Sequence, residues 1–123
     1  MDELQRSQAH WPLLLDQLQE SLDYRFIHLH WLEEALTHRS YGQPHNERFE
    51  FLGDAVLNLL IAQQLFERFP KLDEGSLSRM RASLVRESSL ADIGKSLDLG
   101  TYVRVGEGER RNQAQARASL LAD

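Results

Sequence analysis

The chain has 123 residues, 41% of them hydrophobic and 27% charged, with a formal net charge of −5 and no cysteine. That length holds one small domain, or part of one, and the missing cysteine excludes disulfides and thiolate metal sites. The opening MDELQRSQAHWPLLLDQLQE lacks a signal peptide's basic flank and apolar run, and no stretch approaches about 18 consecutive apolar residues. The expectation is a soluble, cytoplasmic protein with no membrane partner.

In chain order the pattern is helical almost throughout. Leu13, Leu14, Leu18 and Leu22 form an amphipathic stripe, with Pro12 suited to the first turn of that helix. Leu32, Ala35 and Leu36 mark a second helix that ends near the polar SYGQPHN. Asn46 is placed to cap a long third helix reaching about Phe69, where FPK breaks it. Asp73 is placed to cap a fourth, carrying Leu77, Met80, Leu84 and Val85. Ser88 or Ser89 opens a fifth, through Leu90, Ile93 and Leu97, which closes at Gly100. TYVRVG leans toward β structure but has no evident partner strand. GEGERRNQAQ reads as an exposed loop, and ARASLLAD begins a further helix. The fold class expected is all-α.

The third helix carries the chemistry. In HNERFEFLGDAVLNLL, Glu47, Glu50 and Asp54 fall within a roughly 60° arc at about 100° per residue. Phe49, Leu52, Val56, Leu57, Leu60 and Ile61 spread over much of the remaining surface, so the helix is expected to be mostly buried. Two readings of the acids stand side by side. They face water, with Glu47 and Glu50 favoured by the helix N-terminal dipole; or they neutralise a cation, since a buried stripe of like charge is costly otherwise. Asp54 lies two turns in, between Gly53 and Ala55, whose small size lets a ligand or backbone approach. Oxygen ligands without sulfur suit Mg²⁺ or Mn²⁺ rather than zinc.

Net acidity argues mildly against a generic nucleic-acid binder. Placement qualifies the sum, because Arg79, Arg81 and Arg86 stand together without an acid from Ser78 to Arg86, and Arg104, Arg110, Arg111 and Arg117 form a second basic region. An acidic cluster flanked by basic stretches suits a metal site that also holds a polyanion.

HNERFEFLGDAVL closely resembles the signature stretch of the ribonuclease III endonuclease domain. Three further segments extend the resemblance over most of the chain from about residue 20. They are ALTHRS at 35–40, the FP-K-L-DEG-SLSRMRASLV block at 69–85, and LGTYVRVGEGE followed by SLLAD. The resemblance implies a helical homodimer that cleaves double-stranded RNA with Mg²⁺, or Mn²⁺ in its place, leaving 5′-phosphates. By position it makes Glu50 and Asp123 direct metal ligands and Asp54 a support for the metal or its water. Glu47 then lines the same acidic valley, and Glu74 shapes its substrate side. Phe51 corresponds to an aromatic that inserts into the partner subunit, with ordinary core packing as the alternative. Arg79 and Arg81 are candidates for phosphate contacts along an RNA duplex, or else solvated or ion-paired helix residues. His38 and His45 are given no catalytic role.

The sequence departs from the family pattern in two places. RRNQAQARA replaces a glycine-pair loop with its basic residues and acid, which bears on RNA contacts there. The family also places another acidic ligand one helical turn past Asp123, where the sequence stops, and a double-stranded-RNA-binding domain beyond. The expectation is therefore a C-terminally truncated catalytic domain over residues 1–123 without that second domain, weakly active or inactive by itself. Two rivals remain: a catalytically inactive relative that binds RNA or scaffolds, and a helical dimerisation module whose acids are only solvated.

Overall fold

A computed structural model of the chain describes residues 3–108 and 120–123. Among the described residues the helices follow in order: α1 Glu3–Leu22, α2 Leu29–Ala35, α3 Glu47–Arg68, α4 Glu74–Val85, α5 Glu87–Ser96 and α6 Leu99–Tyr102. The described residues contain no strand, only an isolated bridge between Thr37 and Arg104. All-α architecture is what the periodicity implied.

The first half of the molecule closes on its own core. Leu15 and Leu18 of α1 pack with Leu32, Leu36 and Tyr102, and Trp11, Leu14, Phe26, Leu99 and Val103 surround them. Pro12 sits inside α1 and not in its first turn, and the buried stripe runs through Leu15 and Leu18, with Leu13 and Leu22 exposed. Gln19 is buried with both ends of its amide used: its Oε1 accepts from the Phe26 amide at 2.8 Å and its Nε2 donates to the Leu15 carbonyl at 3.3 Å. A buried amide with both ends satisfied fixes the turn after α1 at little cost.

TYVRVG does find a partner. The Arg104 amide donates to the Leu36 carbonyl at 2.7 Å and the His38 amide to the Arg104 carbonyl at 2.9 Å. The Arg104 guanidinium lies between the Trp11 and Tyr41 rings, 4.6 and 4.8 Å from their centroids. Its Nε and Nη2 donate to Thr37 Oγ1 at 3.1 and 2.8 Å, and that hydroxyl donates to the Glu33 carbonyl at 2.6 Å. Thr37 is 1% exposed, so this buried hydroxyl joins the end of α2 to the chain leaving α6.

Asn46 precedes α3 as expected, but its side chain does not cap the helix. Its Nδ2 donates to the Ala35 carbonyl at 3.1 Å, and its backbone amide to the Thr37 carbonyl at 2.9 Å. The start of the long helix is thereby tied to the end of α2. Asp73 does cap α4, accepting from the Ser76 amide at 2.8 Å, and these bonds hold its carboxyl below the usual range. The fifth helix opens at Glu87, a residue before Ser88, and ends at Ser96; Leu99–Tyr102 is a separate turn. Residues 120–122 are helical, as read for the last segment, while Glu107 and Gly108 are helical where a loop was read. Residues 109–119, which hold most of the RRNQAQARA departure, lie outside the described residues.

α3 overturns one expectation. Only Leu65 is buried along it, while Phe51 is 84% exposed, Leu59 67% and Phe66 73%, with Leu52, Val56 and Leu60 also open. Periodicity marks a face as apolar without saying what covers it, and α4 covers only part of this helix. α3 is also long and apolar enough to cross a bilayer by length and composition, although Asp54, Asn58, Gln63 and Gln64 interrupt its apolar residues. Its N-terminal turns carry Glu47, Arg48, Glu50 and Asp54, charges that are expensive inside a membrane.

Candidate functional site

The acids of α3 open onto a cleft of about 780 Å³. One wall is α3 itself, through Glu47, Glu50, Phe51, Gly53, Asp54 and Leu57. Opposite stand Val85, Glu87 and Leu90 at the α4–α5 junction, and Ala122 and Asp123 close the end. The fold therefore brings together Glu47, Glu50, Asp54 and Asp123. Backbone geometry explains the wall. Arg86 is extended, with φ −64° and ψ 156°, and serves both as the end of α4 and the start of α5. That corner turns α5 back so that its first residue, Glu87, faces the α3 acids across the opening.

Glu50 and Asp123 are close enough to interact directly. Burial on the cleft side pushes the Asp123 carboxyl up to about 6, helped first by the charge of Glu50, then by a hydrogen bond with it, and by the charge of Glu87. Asp123 is nonetheless exposed as a whole residue, so the cleft covers it only in part. Two carboxyls meeting in a half-open cleft repel unless one keeps a proton or a cation is taken up between them. All the donors are oxygens, which fits a hard divalent ion. Among the described residues no set of three or more acids or histidines converges tightly enough to enclose an ion by itself. A cation here would retain much of its water, as Mg²⁺ characteristically does.

Other residues are held at the edge. Arg39 Nη1 pairs with Glu47 Oε1 at 3.1 Å, both side chains well exposed. Ser40 Oγ accepts from the Gly106 amide at 2.8 Å and lies 2.7 Å from His38 Nδ1. A side chain at Gly106 would collide with the Ser40 carbonyl oxygen, so the ALTHRS turn and the strand-like exit from α6 are locked together beside Glu47.

Glu74 does not line the cleft; its carboxylate accepts from Ser78 Oγ at 2.6 Å in the first turn of α4. Arg79 and Arg81 lie outside the cleft lining as well. Arg79 Nη2 donates to Ser76 Oγ at 3.2 Å, and Arg81 is half-buried. Sequence reasoning passed over Glu87, since nothing local marks the acid of RESSLADIG and only the corner at Arg86 carries it to the cleft.

With this geometry in place, comparison with known proteins is specific. A family model described as ribonuclease-III-like matches residues 29–123. The chain is similar to the ribonuclease 3 of Bordetella petrii, 59% identical over 106 residues, covering 86% of this chain and 42% of the relative. It is also similar to the ribonuclease 3 of Aromatoleum aromaticum, 56% identical over 109 residues, covering 89% of this chain and 48% of the relative. The chain thus spans less than half the length of these curated relatives. Among solved structures, the nuclease domain of ribonuclease III from Campylobacter jejuni superposes with a TM-score of 0.81 at 44% identity, covering 87% of this chain and 74% of that one. A second structure of that nuclease domain, showing structural flexibility in the region involved in dimer formation, gives 0.80 at 41%, covering 88% and 79%.

Proposed function

Since the chain belongs to the ribonuclease-III-like family, we propose that it provides the catalytic centre of a metal-dependent endoribonuclease acting on double-stranded RNA in cytoplasmic RNA processing. The observation that carries this reading is the meeting of Glu50 and Asp123, from distant parts of the chain, in one cleft beside Asp54 and Glu47.

Phosphodiester hydrolysis requires a water made nucleophilic near neutral pH and neutralisation of charge on the leaving oxygen. Mg²⁺, or Mn²⁺ in its place, supplies both when bound. Glu50 and Asp123 would hold the cation. Asp54, on the same stripe as Glu50, orients water in the cleft, and Glu47 adds negative charge at the rim while Arg39 balances it. α3 gives these carboxylates a rigid backbone, which a site of this kind needs. Glu74 acts from the start of α4, outside the cleft itself.

Cutting both strands of a duplex calls for two such centres, and a C2 homodimer supplies them. The exposed face of α3, with Phe51 at the cleft edge and Leu52, Val56 and Leu59 along it, is the seam this reading uses. The relative from Campylobacter, in which a dimer-forming region is described, supports it. Arg79 and Arg81 of α4 then provide positive charge for the phosphates, a contribution that weakens as salt rises.

The experiment is Mg²⁺-dependent cleavage of a long RNA duplex, followed with protein in excess over RNA so that even the weak activity expected of residues 1–123 is read. Glu50→Gln is expected to lower the rate by about a hundredfold or more, as loss of a metal ligand removes several kcal/mol of transition-state stabilisation. Cleavage that persists in EDTA, or that Glu50→Gln leaves unchanged, would contradict the reading. An inactive, RNA-binding relative would bind the duplex without cutting it at any Mg²⁺ concentration.

A further inference from the structure

α5 forms more than a wall of the cleft. Its first turn contributes Glu87 and Leu90 to the lining, and its next turn carries Ala91 and Gly94, three residues apart on one face, with Gly94 against the chain just before Asp123. Ala91, Gly94 and Leu121 are all buried. A Cβ at Gly94 would lie 3.0 Å from the Leu121 carbonyl oxygen, 3.2 Å from Leu121 Cβ and 3.5 Å from its carbonyl carbon. Glycine inside a helix is unfavourable on its own account, and here it coincides with a close approach of two backbones. The obstacle is main chain, so no side-chain rotation relieves it. Any added atom must move Leu121, and Asp123 is only two residues further on.

We propose that Gly94 is a positioning residue for the cation site, its bare backbone setting how far Asp123 enters the cleft to meet Glu50. This rests on the reading of Asp123 as a metal ligand. Gly94 does not line the cleft; it acts through Leu121. Residues that orient a ligand commonly change metal affinity by about 10–100-fold when altered.

The test uses Mn²⁺ alone as probe, its affinity for the protein measured by electron paramagnetic resonance. Gly94→Val is expected to weaken Mn²⁺ binding about tenfold, and Gly94→Ala by a smaller but measurable factor. A purely helical role leaves Mn²⁺ affinity at the wild-type value and raises thermal stability in Gly94→Ala instead, since replacing a helix-interior glycine with alanine strengthens the helix. Circular dichroism shows whether the valine variant keeps its helices; if it does not, the alanine variant decides. Both changes are repeated with Asp123→Asn, where Gly94→Ala is expected to have no further effect, because coupled residues are not additive. Wild-type affinity in the folded Gly94 variants, or an equal loss in the Asp123→Asn background, overturns the proposal while leaving Asp123 as a ligand. Unchanged affinity in Asp123→Asn alone overturns that ligand reading and this proposal with it.

Discussion

The two halves of the molecule treat their apolar residues in opposite ways. α1, α2 and α6 bury Leu15, Leu18, Leu32, Leu36 and Tyr102 against one another, and Arg104 fastens the arrangement through Thr37. α3 instead holds its apolar residues outward, with Phe51, Leu59 and Phe66 among the most open side chains. The first half is finished within the chain. The second carries the acids beside an open apolar face, the one that the dimer proposed above would use as its seam.

This contrast is broken most forcefully in the closed half. Leu18→Ala should cost about 4 kcal/mol of unfolding free energy, since a fully buried leucine leaves a cavity, with no direct effect on subunit association. Denaturant unfolding measures it, and a loss below about 1 kcal/mol would mean that this core is loosely packed.

In the open half the effect should appear in assembly. Phe51→Ala is expected to weaken the dimer by about 3 kcal/mol if the ring fills a pocket in the partner, with little change in the helicity of each subunit. Sedimentation at micromolar concentration reads it directly. A chain that is monomeric before the substitution, or a dimer indifferent to it, would remove α3 as the seam.

Thr37→Val sharpens the contrast from the other side. It removes the acceptor for two donors of Arg104 while leaving the volume almost unchanged, and the cost is expected at about 2 kcal/mol. A neutral outcome would show that the two flanking rings hold the guanidinium without Thr37.

The smallest effect is on pH dependence. The folded-state carboxyl of Asp123 titrates at about 6 against an unfolded value of 3.8. A raised acid favours folding when protonated, so its contribution to the metal-free protein is complete below 3.8 and is lost as pH rises through about 6. Asp123→Asn should flatten that part of the stability profile. An unaltered profile would separate Asp123 from Glu50.

Local signals were legible in the sequence. Asp73 ahead of α4, the break at Phe69 and the stripe of Glu47, Glu50 and Asp54 were all placed by spacing and residue type. Contacts between distant segments were not. No periodicity pairs Thr37 with Arg104, and none carries Glu87 round the Arg86 corner to the cleft. The apolar content of α3 was visible, but its exposure was not, because burial depends on which neighbours arrive. Pro12 was assigned to a first turn because proline fits there best, yet the helix extends upstream of it. Gly94 gave no signal at all, since its constraint comes from Leu121.

Glu50 and Asp123, if they form one hard-cation site, should make the melting temperature respond to divalent metal. Mg²⁺ or Mn²⁺ at ten times its dissociation constant should stabilise the protein by about 1.4 kcal/mol, a rise of about 5 °C in melting temperature. Glu50→Gln should abolish the rise. Equal shifts in the wild-type and Glu50→Gln proteins would show that the cation binds elsewhere and that the two carboxylates do not share a site.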